Sequence, residues 1–150
     1  MGADPRGESA GNRPPPEEAI RAGLEGRAEL RVGEGDLAAA MGNPGAEVLA
    51  TPILIGLLEQ ASASAVRPLL PAGTMTVGIR VDIRHLAATP PGLTVVARSR
   101  LREVDGRRLL FDVEAHDGLE KVAEGVHERF VVDEERFLAR TREKRRKGGG

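Results

Sequence analysis

Hydrophobic and polar residues alternate along much of the chain, and this alternation predicts a series of β-strands. From Met75 to Arg84, apolar and polar side chains alternate strictly, which is typical of a strand with one apolar face. Two further alternating runs, Leu93–Arg102 and Leu109–Ala115, follow, and a last predicted strand reaches Val132. Leu24–Val32 is the first predicted strand. The pattern therefore predicts a mainly antiparallel sheet with one interruption.

The interruption is a single helix that is apolar on nearly every side. Its sequence is TPILIGLLEQASASAV, from Thr51 to Val66. Thr51 is the expected N-cap, Pro52 the first helical residue, and Pro68 ends the helix. A helix without a polar face belongs inside a protein. We therefore predict an α+β protein in which a strongly curled antiparallel sheet wraps around one central apolar helix. This is the hot-dog architecture, whose exposed sheet edge predicts a homodimer.

The register of the central hairpin follows from which side chains must share a face. A three-residue loop, Asp105–Arg107, with its glycine in the left-handed conformation, pairs Leu101 with Phe111. The same register places Arg100 beside Asp112, a favourable cross-strand ion pair. A two-residue turn would instead mix apolar and charged residues on one face, so we prefer the longer loop. The register of the following hairpin stays open.

Two ionisable residues occupy positions where the pattern predicts apolar side chains. Glu59 lies in the middle of the apolar helix, and His85 continues the apolar phase of the strand that begins at Met75. An unpaired carboxylate inside an apolar interior costs free energy unless it is paired or lines a cleft. From facing surfaces, the two side chains form a natural acid–base pair. The alternative is a structural Glu–His pair without a catalytic role.

Thr51 is a third candidate because it begins the helix. An N-cap needs no further role, but the amino end of a buried helix also offers free N–H groups and the positive end of the helix dipole. Such a site can stabilise an oxygen on which negative charge develops. Glu59 lies eight residues further on, about 12 Å along a regular helix. The two residues can cooperate only if the helix breaks near Pro52 or if the contact crosses a dimer interface.

Composition narrows the functional classes. The chain has a formal net charge of -1, three Phe and no Trp or Tyr, a composition that argues against nucleic-acid binding. It has no cysteine, which excludes disulfides, thiol catalysis and cysteine-based zinc sites. The three histidines lack metal-ligand spacing, and we expect His116 and His127 at surface or structural positions. Without a signal peptide or a bilayer-spanning run, a cytoplasmic protein that does not bind membranes is expected.

The two ends of the chain differ from its middle. Residues 1–22 are rich in Pro, Gly and charge without periodicity, so we predict disorder there. Residues 140–150 form a basic tail that ends in glycines, which we interpret as a solvated helix end. An electrostatic aid to a phosphorylated ligand is the alternative. Residues 23–139 are then expected to form a single domain.

The stretch from Glu47 to Leu138 contains six motifs that are typical of one known family. They are EVLAT, GLLEQA, HLAATPPGLTV, VDGRRL, AHDG and GVHERF. On these motifs the chain resembles the fluoroacetyl-CoA thioesterase family of hot-dog proteins. The catalytic Thr, Glu and His of the family match Thr51, Glu59 and His85. A glycine that lines the acyl pocket of the family matches Gly78.

The resemblance implies hydrolysis of a short acyl-CoA thioester at a homodimer interface. CoA is then part of the substrate, and no metal or separate cofactor is expected. The fluoroacetate-specific member carries lid aromatic residues ahead of its catalytic Thr, whereas MGNPGAEV here has none. We therefore expect a more open pocket or a different short acyl group. A hot-dog hydratase or dehydratase acting on acyl-CoA or acyl-carrier protein, and a non-catalytic acyl-CoA binding protein, are the alternatives.

Overall fold

The computed structural model describes residues 20–149 as one antiparallel sheet with two α-helices. The five strands lie in the order β1-β3-β4-β5-β2. Their bounds are β1 Glu25–Arg31, β2 Thr74–His85, β3 Thr94–Asp105, β4 Arg108–His116 and β5 Lys121–Asp133. Helix α1, Thr51–Val66, lies between β1 and β2, and helix α2, Glu134–Lys147, follows β5. Three short 3-10 helices span Glu34–Asp36, Ala38–Met41 and Arg67–Leu69.

Helix α1 lies against the concave face of the sheet and forms the centre of the core. Leu54 and Leu58 of α1 are buried in one cluster with Leu101 of β3 and Phe111 of β4. Burial of each such side chain contributes about 1.5–3 kcal/mol. The predicted curled sheet wrapped around one central apolar helix is confirmed.

The close approach of β1 to α1 depends on Gly26. A Cβ at this position would overlap the carbonyl oxygen of Ala61 and would lie 2.8 Å from Ser64 Oγ. Ser64 Oγ also accepts a hydrogen bond from the Arg27 backbone N–H at 3.2 Å. The lack of a side chain at Gly26 therefore sets the distance between this edge strand and the helix.

The strict alternation predicted for β2 is interrupted by a β-bulge at Ile79. The register passes directly from Gly78 to Arg80, which leaves Ile79 as the extra residue. One extra residue reverses the phase of the side chains. The prediction that Met75–Ile83 share one apolar face is therefore wrong, because residues before the bulge have the opposite phase. As a result Gly78 turns toward α1, where a Cβ would lie 3.5 Å from Glu59 Oε2.

The predicted register of the β3–β4 hairpin is confirmed, but its cause differs from the prediction. Leu101 pairs with Phe111 as expected. The loop itself contains only two residues, because Asp105 pairs with Arg108, and the extra residue is Arg102 within β3. A bulge in the strand and a longer loop shift the register equally, so both keep the apolar side chains on one face.

Two predicted boundaries change in the structure. The prediction of disorder is wrong for Ile20, which is buried in the core. Residues 1–19 lie outside the described residues. At the other end, the predicted basic tail is helical through Lys147 as part of α2, which has no buried residue. Within residues 20–149, no helix combines the length and the hydropathy needed to cross a bilayer.

Candidate active site

Thr51 and His85 meet where α1 begins and β2 ends. Thr51 is the first residue of α1 and not its N-cap, because Ala50 holds the N-cap position and no side chain caps the helix. The Thr51 hydroxyl oxygen lies 2.8 Å from His85 Nδ1. The other ring nitrogen, Nε2, is buried and has no hydrogen-bond partner within residues 20–149. A buried polar atom without a partner is rare and requires an explanation.

Glu59 lies further along α1, beside the β2 bulge. Its side chain is 40% exposed, and its Oε2 lies 3.9 Å from Arg129 Nη1. The carboxylate therefore lines a surface that solvent reaches and does not belong to the closed core. Gly78, which we expected to line the acyl pocket, faces this carboxylate. A Cβ at Gly78 would lie 3.5 Å from Glu59 Oε2 and would narrow the space between the strand and the helix.

Arg129 on β5 is a candidate functional residue that the sequence analysis missed. Its buried guanidinium donates from Nε to Thr76 Oγ1 at 2.8 Å and from Nη2 to the Thr76 carbonyl oxygen at 2.9 Å. Burial lowers the pKa of Arg129, and the nearby Glu59 opposes this shift. The guanidinium nevertheless stays charged. Two of its nitrogen atoms are held by Thr76, and the third faces Glu59.

His127 completes this cluster and is buried, so it does not lie at the surface. Its Nδ1 donates to the Arg80 carbonyl oxygen at 2.8 Å, and its Nε2 accepts from Arg129 Nη1 at 3.2 Å. The ring stacks on Phe111 with centroids 6.4 Å apart. Burial lowers the pKa of His127, and the Arg129 charge lowers it further. The hydrogen bond to the Arg80 carbonyl and the Glu59 charge raise it, but the net pKa lies below its ordinary value. His127 therefore acts as a neutral acceptor that holds Arg129.

Within one chain the site falls into two halves, Thr51 with His85 and Glu59 with Arg129. Helix α1 is unbroken from Thr51 to Val66, so no break occurs near Pro52. Thr51 and Glu59 are therefore about 12 Å apart along the helix. Among residues 20–149, no hydrogen bond or ion pair joins Glu59 to His85. The direct pairing expected between them does not form inside one copy.

The remaining histidine, His116, lies outside the candidate site. Its Nε2 is 3.6 Å from Glu114 Oε1 in a partly exposed pair on β4. The described part of the chain contains no group of three or more His, Cys, Asp or Glu placed to hold a metal ion.

Comparison with known sequences identifies the family. Residues 32–135, more than half of the chain, match the family model of the fluoroacetyl-CoA-specific thioesterase, FlK. The chain is also 46% identical over 98 residues to a fluoroacetyl-CoA thioesterase of Streptantibioticus cattleyicolor. That match covers 65% of this chain and 70% of the relative.

Solved structures agree with this assignment. The structure of the fluoroacetyl-CoA thioesterase FlK superimposes with a TM-score of 0.78 at 37% identity, over 83% of this chain and 97% of that one. A thioesterase superfamily member from Thermus thermophilus gives 0.80 at 26% identity, over 87% and 96%. A hot-dog-like protein from Thermanaerovibrio acidaminovorans gives 0.78 at 25% identity, over 85% and 95%. The predicted hot-dog fold is confirmed, and the chain belongs to the fluoroacetyl-CoA-specific thioesterase family.

Proposed function

We propose that Glu59, His85 and Thr51 hydrolyse a short-chain acyl-CoA thioester in an active site shared between two copies of the chain. The class, a thioester hydrolase acting on short-chain acyl-CoA, follows from the family and from the fluoroacetyl-CoA thioesterase relative. The observation that carries the catalytic assignment is the hydrogen bonding of the two His85 ring nitrogens. Its Nδ1 is held by Thr51, while its Nε2 has no partner within residues 20–149. A ring nitrogen kept free in this way is ready for proton transfer once substrate approach uncovers it.

The proposed reaction cleaves the bond between the acyl carbon and the sulfur. In one route, Glu59 takes a proton from water, whose oxygen bonds to the thioester carbon. In the other, the carboxylate itself attacks this carbon, and water then hydrolyses the resulting anhydride. In both routes the sulfur leaves with the bonding electron pair and receives a proton from His85. The products are a free acid and CoA, and no separate cofactor takes part. CoA thioesters are intracellular metabolites, which supports the expected cytoplasmic location.

Thr51 positions the imidazole at the amino end of α1. The first N–H groups of a helix have no intrahelical acceptor, and the helix dipole favours negative charge at this end. A thioester oxygen that becomes negative here is therefore stabilised. Thr51 thus orients His85, and the start of its helix provides the oxyanion site.

A second copy paired along β2 would join the two halves of the site. β2 is a sheet edge on which Ile79 and Val81 are 51% and 37% exposed. The opposite edge, β1, exposes charged side chains, which disfavour strand pairing. In a two-fold contact, residue i of one copy meets residue j of the other and the reverse. Antiparallel pairing of two β2 strands about a point between Gly78 and His85 brings His85 of each copy toward Glu59 of the other.

Product analysis over a panel of short acyl-CoA thioesters tests the proposed reaction. We expect free CoA thiol and free acid from acetyl-, propionyl- and fluoroacetyl-CoA. Because Met41–Val48 carries no aromatic side chain, we expect no strict selectivity for the fluoroacetyl group. The panel also contains a 3-hydroxyacyl-CoA, because dehydration requires a 3-hydroxyl group. An enoyl product from that thioester would indicate a dehydratase, and binding without turnover would indicate an acyl-CoA binding protein. Either outcome would contradict hydrolysis.

Substitution of the two ionisable residues tests their assignment. We expect Glu59→Gln and His85→Ala each to lower kcat for acetyl-CoA by about 100-fold or more, because each removes a proton-transfer group. The fold should persist, since the Glu59 side chain is 40% exposed and His85 ends its strand. Circular dichroism checks the fold. Glu124→Gln, which removes an exposed carboxylate that pairs with Lys121, is the control and should not change kcat. Near wild-type rates in both test variants would overturn the assignment.

A further inference from the structure

Three of the sequence motifs meet at a buried set of hydrogen bonds near the Thr51–His85 pair. AHDG supplies the Asp117 carboxylate, HLAATPPGLTV supplies Thr89, and EVLAT supplies the Leu49 N–H. Thr89 Oγ1 donates to Asp117 Oδ2 at 3.0 Å. The Leu49 N–H donates to the Thr89 carbonyl oxygen at 2.8 Å. These three residues form what we name the Asp117–Thr89–Leu49 bridge.

The bridge is closed to solvent and its carboxylate is fully used. Thr89 is 0% exposed and Asp117 is 5% exposed. The second carboxylate oxygen, Oδ1, accepts the N–H groups of Leu119 and Glu120 at 3.0 and 3.1 Å. Burial raises the pKa of Asp117, but these backbone hydrogen bonds and that of Thr89 outweigh burial, so the pKa lies below its ordinary value. The ionised carboxylate can only accept, so the Thr89 hydroxyl donates to it.

The bridge connects the two chain segments that carry Thr51 and His85. Leu49 lies two residues before Thr51, and Thr89 lies four residues after His85. The Leu49–Thr89 hydrogen bond therefore ties the approach to α1 to the exit from β2. The contact of 2.8 Å between Thr51 Oγ1 and His85 Nδ1 joins the same two segments. Asp117 anchors this connection to the turn between β4 and β5.

We propose that Asp117, acting through Thr89, is a positioning residue for the Thr51–His85 pair, an inference that rests on the proposed function of that pair. A hydrogen bond to an ionised carboxylate is roughly twice as strong as a neutral one. Asp117 thereby holds Thr89 in one conformation, and Thr89 holds Leu49. A displacement of about 1 Å at a catalytic group can lower a rate about 100-fold. A carboxylate outside the catalytic contacts therefore controls the alignment of the imidazole.

Thr89→Val and Thr89→Ser test this role, because valine removes the hydroxyl at nearly constant volume and serine keeps it. The readouts are kcat and KM for acetyl-CoA and the ¹⁵N chemical shifts of the His85 ring, measured well below the melting temperature. We expect Thr89→Val to lower kcat about ten-fold or more, with KM within about two-fold, and to shift the His85 signals. Thr89→Ser should resemble the wild type. If Thr89→Val does not fold, Asp117→Asn takes its place, because it replaces the charged acceptor with a neutral one. We expect the same fall in kcat, the same small change in KM and the same shift of the His85 signals.

Thr74→Val is the matched control. The Thr74 hydroxyl donates to the Pro71 carbonyl oxygen at 2.7 Å at the opposite end of β2. Both valine variants remove a hydroxyl bond, but only Thr89→Val should change kcat and the His85 signals. The inference is overturned if Thr89→Val keeps wild-type kcat and wild-type His85 shifts, or if Thr74→Val changes both equally. A wild-type protein that releases no CoA thiol would instead refute the proposed function, and the His85 shifts would then decide the positioning role alone.

Discussion

The buried Arg129 side chain places a positive charge beside the Glu59 carboxylate. Thr76 holds two of its nitrogen atoms, and the His127 ring accepts from the third. The distance of 3.9 Å from Arg129 Nη1 to Glu59 Oε2 is too long for a hydrogen bond. The positive charge therefore attracts Glu59 without occupying its acceptor positions. The Glu59 oxygens therefore stay open for the proton transfer or the attack on substrate that we propose for them.

Replacement of Arg129 tests whether this fixed orientation matters. Arg129→Lys keeps the charge but loses the planar group that donates two hydrogen bonds to Thr76. We expect kcat for acetyl-CoA to fall about ten-fold, and further in Arg129→Met, which also removes the charge. Arg102→Lys is the control, because Arg102 pairs with Asp112 at an exposed position on the sheet. Equal kcat in Arg129→Lys and the wild type would show that the orientation is not required.

At the scale of the elements, the packing of α1 on the sheet determines where Glu59 lies. The contact of α1 with β1 leaves no room for a side chain at Gly26, and the Ala61 carbonyl that it meets lies two residues after Glu59. On the other side, Gly78 keeps the space beside the carboxylate open. Two glycines on different strands thus position the helix that carries Glu59.

Gly26→Ala tests this packing. The new methyl group would overlap the Ala61 backbone, so we expect the free energy of unfolding to fall by about 1–3 kcal/mol in urea denaturation. A shift of α1 would also lower kcat. Gly35→Ala is the control, because a Cβ there meets nothing within 4 Å. A Gly26→Ala variant as stable as the Gly35→Ala variant would contradict the close packing.

The periodicity of the sequence predicts these elements but not the irregularities within them. Apolar and polar residues alternate in the sequence around Ile79 just as they do in a regular strand. A single extra residue therefore cannot be recognised from the alternation. The bulge at Ile79 could therefore not be predicted from periodicity, which placed Gly78 on the outer face. Only the resemblance to the family placed Gly78 at the pocket. The extra residue at Arg102 was not predicted either, although the register it produces was predicted.

The candidate site was predictable where a residue breaks the hydrophobic pattern or matches a catalytic residue of the family. Glu59 and His85 could be singled out in this way. His127 and Arg129 could not, because the register between β4 and β5 was open. In the structure His127 pairs with Phe111, an inward position, and Arg129 has the same phase. Their burial follows from that register and not from their own sequence.

At the scale of the whole molecule, one chain carries all the proposed catalytic groups without bringing them together. Glu59 and His85 belong to separate halves of the site, and the exposed apolar edge of β2 lies between them. A two-fold partner that pairs along this edge would bury Ile79 and Val81. It would also form two equivalent sites, each with a glutamate from one copy and a histidine from the other.

Complementation between Glu59→Gln and His85→Ala chains tests this central claim most directly. The two chains are co-expressed with different affinity tags, the mixed dimer is purified through both tags, and thiol release from acetyl-CoA is measured. If each site draws Glu59 and His85 from different copies, one of the two sites in the mixed dimer is intact. We then expect about half of the wild-type activity per dimer, far above that of either variant alone. A mixed dimer of the correct mass that is as inactive as its parents would contradict the shared site.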